Sequence, residues 1–176
     1  MTIQINRKIC LLGMYATGKT SLIRRYVHNI FDEKYLSTIG VNVSQKLLPP
    51  LETSNNKIVQ FNFLIWDIEG IDRNNKLQKN YYAGSSGAIV VGDLTRKESF
   101  EVINGLLSDF STICPEALIV LAGNKKDLLI ENTDHPQRLK ELAAQKKADY
   151  LLTSAKTGEN VDELFLLLAH KIKDKL

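Results

Sequence analysis

An α/β fold built on a largely parallel sheet, with helices on both faces, is predicted by three observations. Short apolar runs alternate with amphipathic helical segments along the chain. The runs at 88–91 and 117–121 are apolar throughout, as strands covered on both faces must be. Residues 41–48 and 58–66 are joined through Pro49, Pro50 and Ser54-Asn55-Asn56, a turn signal that makes this pair a hairpin.

Taken in order, a first strand covers 3–12 and ends in a glycine-rich turn at Gly13, and a helix follows over 18–28. The hairpin strands come next, then the strand at 88–91, a helix over 97–110 and the strand at 117–121. A helix over 136–147, a weaker strand at 150–153 and a helix over 161–173 complete the chain. In the last helix Val161, Leu164, Phe165 and Leu168 share one face, and Asn160 stands where an N-cap is expected.

The 176 residues suffice for one domain spanning 1–176 with a full core. A net charge of +3 gives no ground for a nucleic-acid partner. Cys10 and Cys114 make no disulfide framework, and Cys10 lies in an apolar run as a core residue would. The polar start and the lack of any 18-residue apolar run predict a cytoplasmic protein without a membrane span.

Gly13-Met14-Tyr15-Ala16-Thr17-Gly18-Lys19-Thr20 fits G-x-x-x-x-G-K-[ST], with a strand before it and a helix after it. Gly13 and Gly18 permit backbone angles closed to other residues, so successive N–H groups can turn inward toward an anion. Those amides and the helix N-terminus, where Ser21 follows, make a phosphate site. Lys19 sets a cation against the terminal phosphates, and the Thr20 hydroxyl is a magnesium ligand.

The base is read elsewhere. Asn124-Lys125-Lys126-Asp127 follows an apolar strand, at the edge where open α/β sheets bind ligands. An Asp127 carboxylate accepts two hydrogen bonds from guanine N1–H and its 2-amino group; adenine lacks that pair of donors and leaves the carboxylate unmatched. Ser154-Ala155-Lys156 follows the last strand and offers a backbone N–H to guanine O6. These short motifs gain weight from their combination with the phosphate loop, in this order.

With these residues in place the chain resembles a Ras-superfamily GTPase over nearly its whole length. It looks most like the Rab branch, through Tyr35-Leu36-Ser37-Thr38-Ile39-Gly40-Val41, Trp66-Asp67, Tyr81-Tyr82-Ala83-Gly84-Ser85-Ser86-Gly87-Ala88 and Gly123-Asn124-Lys125-Lys126-Asp127. The resemblance implies a P-loop NTPase (Ras-like) fold: a mostly parallel six-stranded sheet flanked by about five helices. It implies GTP/GDP and Mg2+ as ligands, held by Tyr15, Ala16, Thr17 and the rest of the phosphate loop together with Tyr35. It places Thr38 of switch I on magnesium and the γ-phosphate, Asp67 on a magnesium-bound water, and the Gly70 N–H on the γ-phosphate. Phe31 and Lys125 flank the guanine ring, and Asn124, Asp127, Ala155 and Lys156 bind the base.

Departures from the family pattern gather around the phosphate site. Where Thr-Ala-Gly-Gln is usual after the aspartate, the chain reads Ile68-Glu69-Gly70-Ile71. The glutamine orients the attacking water, and Ile71 offers no hydrogen bond in its place, so slow hydrolysis is expected. Glu69 brings a carboxylate near the phosphates; it is expected to turn away, recruit a cation or disturb magnesium, or else to position water in catalysis. Tyr15 stands where small residues are usual. Its ring has two readings: it covers the γ-phosphate and blocks an arginine from an activating protein, or it points into solvent.

Partner surfaces are expected along switch I, the interswitch strands and switch II, for effectors and an exchange factor. Trp66 and Tyr81 match the usual aromatic cluster, whereas Val43 and Asn74 replace two aromatics, which weakens standard effector anchoring. The 47–57 connection is longer than usual and reads as tolerated loop padding or a private contact surface. The chain ends Lys173-Asp174-Lys175-Leu176 without a prenylation cysteine, so membrane attachment is expected only through a tail not present in this sequence. The competing reading is a constitutively GTP-bound or pseudo-GTPase scaffold. A kinase leaves N-K-x-D unexplained, and a dinucleotide oxidoreductase lacks G-x-G-x-x-G.

Overall fold

The computed structural model describes residues 2–32, 37–70, 76–130 and 133–176. Seven strands form one sheet: β1 (Thr2–Gly13), β2 (Val41–Leu47), β3 (Leu51–Glu52), β4 (Ile58–Ile68), β5 (Gly87–Asp93), β6 (Leu118–Asn124) and β7 (Asp149–Leu152). The order is β2-β4-β1-β5-β6-β7, with β3 paired to β4. β1 lies parallel to β4 and β5, and β5, β6 and β7 continue in parallel. The β2–β4 hairpin supplies the antiparallel pairing that its turn signal predicts. The expected six strands make up the main path; the seventh, β3, is two residues long.

Strand alternation divides the core between two faces. Ile9 and Leu11 of β1, Ile89 and Val91 of β5, and Val120 and Ala122 of β6 point to one side. There they meet α1 (Lys19–His28) and α5 (Val161–Lys173), whose Tyr26 and Phe165 rings stack with centroids 3.9 Å apart. Cys10, Leu12, Ala88, Val90 and Leu121 point to the other. That side is covered by α3 (Ile103–Ile113) and α4 (His135–Lys146). Strands covered on both sides need apolar residues at every position, which is why their runs are uniform.

The predicted helix over 97–110 is interrupted: α2 (Glu98–Glu101) stops at Val102 and α3 begins after it. Val102 keeps helical angles (φ −84°, ψ −17°), so the break lies in the hydrogen bonding and not in the path of the chain. Asn160 does not cap α5 with its side chain. Its backbone is left-handed (φ 57°), and Nδ2 donates instead to the Leu152 carbonyl at 2.8 Å, tying the helix start to β7. The 47–57 connection is anchored: Leu48 and Leu51 are buried in the α1/α5 side of the core, and Gln60 Nε2 donates to the Leu48 carbonyl. The middle of the connection, residues 54–57, is exposed. Among the described residues no helix is long and apolar enough to cross a membrane.

Candidate functional site

Gly13, Asp67, Asp93 and Asn124 all sit at or beside the carboxyl ends of parallel strands, and a cavity of about 740 Å³ opens along that edge. Its size suits one mononucleotide. Tyr15, Ala16, Gly18, Lys19, Thr20, Ser21, Phe31, Thr38, Glu69, Gly70, Asn124, Lys125, Asp127, Ala155 and Lys156 line it. Gly13, Thr17, Asp67 and Ser154 do not; they stand behind the wall. Tyr35, Ile71 and Asn74 lie outside the described residues.

At one end the chain leaves β1, loops back and enters α1. Gly18 has φ 93°, and a Cβ there would meet Asn124 Nδ2 at 2.3 Å. Only glycine lets Asn124 donate to the Thr17 carbonyl at 3.0 Å, which fastens the loop to the end of β6. Lys19 is 5% exposed, its Nζ 3.2 Å from the Gly13 carbonyl and 3.0 Å from that of Met14. Burial pushes this ammonium down to about 8, against the pull of Asp67 and Glu69.

Thr20 Oγ1 donates to Asp67 Oδ2 at 2.6 Å and shares a hydrogen bond with the Thr38 hydroxyl at 2.7 Å. Thr38 Oγ1 is 3.4 Å from the same carboxylate oxygen. Asp67 Oδ1 is buried with no hydrogen-bond partner among the described residues, and burial pushes this carboxyl above its ordinary range. A buried ammonium short of an anion beside a buried carboxylate short of a cation fits a phosphate with a divalent metal. Two hydroxyls and one carboxylate, completed by phosphate and water, are a donor set magnesium accepts.

At the other end Asn124 Oδ1 accepts from the Ala155 N–H and the Thr153 hydroxyl, both at 3.2 Å. Buried Ser154 donates from Oγ to Asp127 Oδ1 at 2.5 Å and receives the Thr157 N–H at 3.1 Å. Lys125 is left-handed (φ 65°), and its Nζ lies 2.7 Å from Asp93 Oδ2. Asp93 is fully buried, and its Oδ1 accepts from the Thr95 N–H and hydroxyl.

The sequence matches the Ras family over residues 8–174. It is 38% identical over 178 positions to the GTP-binding protein ypt5 of Schizosaccharomyces pombe, covering 99% of this chain and 82% of that one. The GTP-binding protein ypt4 of the same yeast is 33% identical, covering 94% and 70%. The Ras-related protein Rab-4B of Homo sapiens is 33% identical, covering 96% and 77%. The chain belongs to the Ras family. It is a small GTPase of the Rab branch, a class of enzyme that hydrolyses GTP to GDP and phosphate.

Two of this GTPase's departures now have geometry. Glu69 Oε2 accepts the Gly40 N–H at 3.0 Å, while the Glu69 N–H donates to the Gly40 carbonyl at 2.9 Å. Glu69 lines the cavity and lends one carboxylate oxygen to Gly40, a partner the sequence reading did not name. The Tyr15 ring is 49% exposed at the cavity mouth, with the Arg96 guanidinium 4.9 Å from its centroid. Arg96 also donates to the Tyr15 carbonyl at 3.2 Å. The ring therefore carries a cation on its face, an arrangement neither sequence reading contained.

Sequence reasoning also missed Asp93 and Arg25. An aspartate closing the otherwise apolar run Gly87–Asp93 was a usable signal, because a buried carboxylate needs a partner. Arg25 gave none. From α1 it reaches the Ser154–Lys156 segment, Nε donating to the Ala155 carbonyl at 2.9 Å and an Nη to that of Lys156 at 2.6 Å. Arg25→Ala is expected to speed GDP dissociation about tenfold, the loss of roughly one charge-assisted hydrogen bond. Displacement of a fluorescent GDP analogue measures it, and an unchanged rate would mean that this segment holds itself.

Proposed function

We propose that this chain is a Rab-like guanine-nucleotide switch, acting in vesicle trafficking or signalling, that hydrolyses GTP slowly and so stays GTP-bound for long periods. The observation that carries the reading is one cavity with buried Lys19 and half-buried Thr20 and Thr38 at one end, backed by buried Asp67, and Asp127 at the other. Lys19 and the loop amides hold the β- and γ-phosphates. Thr20 and Thr38 would hold magnesium, with Asp67 acting through a water, and the bound ion would supply positive charge against the phosphates. Asp127 reads the base edge, the Ser154-Ala155-Lys156 segment supplies a backbone N–H to guanine O6, and Phe31 and Lys125 enclose the ring.

Slow turnover follows from the residues on either side of Gly70 in the sequence. Ile71 brings no hydrogen bond to a water. Glu69, the alternative water-positioner, spends a carboxylate oxygen on Gly40. A scaffold that holds GTP without cycling is the second reading. It is favoured by Arg96, which occupies the outer face of the phosphate loop where an activating protein's arginine would approach. Effectors then dock on switch I and the interswitch strands. Val43 is 51% exposed there, and the Lys8 ammonium lies 3.8 Å from the centre of the Trp66 ring. That surface carries an aliphatic Val43 where the family pattern has an aromatic residue.

The test is to denature the purified protein and identify the released nucleotide by chromatography. Mostly GTP is expected. Mostly GDP would overturn slow hydrolysis, and no guanine nucleotide would overturn the binding site itself.

A further inference from the structure

The β2–β4 ladder runs from Leu47↔Asn62 to Val41↔Ile68, and the next rung is Gly40 opposite Glu69. In a regular antiparallel rung the two residues exchange N–H and C=O through the main chain. Here only half of that exchange uses the backbone: Glu69 N–H donates to the Gly40 carbonyl at 2.9 Å. The return bond, from Gly40 N–H, goes to Glu69 Oε2 at 3.0 Å. The side chain thus replaces its own carbonyl and completes the rung.

The main chain has a reason to leave the ladder. Gly70 packs so closely on the phosphate loop that a Cβ there would lie 2.3 Å from Tyr15 Cα and 2.5 Å from Tyr15 N. Glu69 therefore lets the segment after β4 turn onto the phosphate loop without releasing switch I. Alanine, the usual residue at this place in the family pattern, has no acceptor to offer Gly40.

We propose that Glu69 is a positioning residue that fastens switch I to switch II through Gly40 in both nucleotide states. The proposal rests on the guanine-nucleotide reading above. In a nucleotide switch the γ-phosphate and its magnesium draw these two segments together, and loss of the phosphate lets them part. A protein bond that joins them regardless of the phosphate has two consequences. The GDP-bound form keeps its switches closed, so the two states differ less to a partner. GTP, which binds the closed form, meets a larger competent fraction and binds more tightly relative to GDP.

Hydrogen exchange at the Gly40 amide tests this, with the full chain loaded with GDP or with a non-hydrolysable GTP analogue. In the unsubstituted protein the amide is expected to be protected in both states. In Glu69→Ala it should exchange at least about tenfold faster with GDP and recover protection with the GTP analogue. Glu69→Gln keeps an acceptor oxygen while losing the charge, so it should stay near the unsubstituted protein. The ratio of GTP-analogue to GDP affinity should fall several-fold in Glu69→Ala relative to Glu69→Gln, a split that general loosening of the fold would not produce. Normal loading with equal Gly40 exchange in the unsubstituted and Glu69→Ala proteins overturns this proposal alone. Failure to load either nucleotide overturns the guanine reading, and this proposal with it.

Discussion

Asp127→Asn is expected to lower GDP affinity at least about a thousandfold and to make xanthosine diphosphate the preferred ligand. Guanine presents two adjacent donors, N1–H and the 2-amino group, and a carboxylate accepts both. Ser154 already donates to Asp127 Oδ1 and so fixes the orientation of the group at the cavity wall. Asparagine turns one of its two acceptors into a donor. That donor opposes a guanine donor, and both are left unpaired away from water, a loss that sites of this kind amplify to several orders of magnitude. Xanthine carries an oxygen where guanine carries the amino group, so the same asparagine finds one donor and one acceptor to match. Competition of GDP and xanthosine diphosphate against a fluorescent nucleotide gives both affinities in one experiment. Retention of full GDP affinity by Asp127→Asn would mean that the base is read by other groups.

The features that were legible in the sequence are those whose chemistry constrains neighbours along the chain. Residues 13–20 must form a turn, supply amides and present a lysine and a threonine within one stretch, so the demand is written in consecutive letters. Asn124 and Asp127 were legible for the same reason, being three residues apart on one strand end. Links between distant segments were not. Arg25 meets Ala155 across 130 positions, and nothing in an arginine on an amphipathic helix distinguishes that role from a solvated face. The pairing of Glu69 with Gly40 depends on the β2–β4 register, which the hairpin signal bounds without fixing to the residue. Asn160 shows the opposite failure. It stands at the N-cap position as its residue type suggests, but its backbone is left-handed and its side chain is turned so that Nδ2 donates to the Leu152 carbonyl, leaving the cap bond unmade.

Ile71→Gln is expected to raise single-turnover GTP hydrolysis about 10–100-fold. Phosphoryl transfer in this class asks little covalent chemistry of the protein; the barrier falls through placement of water and stabilisation of charge. Lys19, Thr20 and Asp67 are present to do the second of these. On the proposed reading the first is what is lacking: the residue after Gly70 ends in hydrocarbon, and the carboxylate before Gly70 is bonded to Gly40. A glutamine at 71 restores a side chain that both donates to and accepts from water, and the stated gain corresponds to about 1.4–2.7 kcal/mol of barrier. The measurement is phosphate release from preloaded GTP, compared among the unsubstituted protein, Ile71→Gln, and Ile71→Gln combined with Tyr15→Gly. The double variant separates two causes, because the Tyr15 ring with Arg96 on its face crowds the same rim of the cavity. A full gain from Ile71→Gln alone assigns the defect to water positioning. A gain that needs both changes assigns part of it to crowding at the phosphate loop. An unsubstituted protein already as fast as Ile71→Gln would mean that another group places the water, and the long-lived GTP-bound state would have to be abandoned.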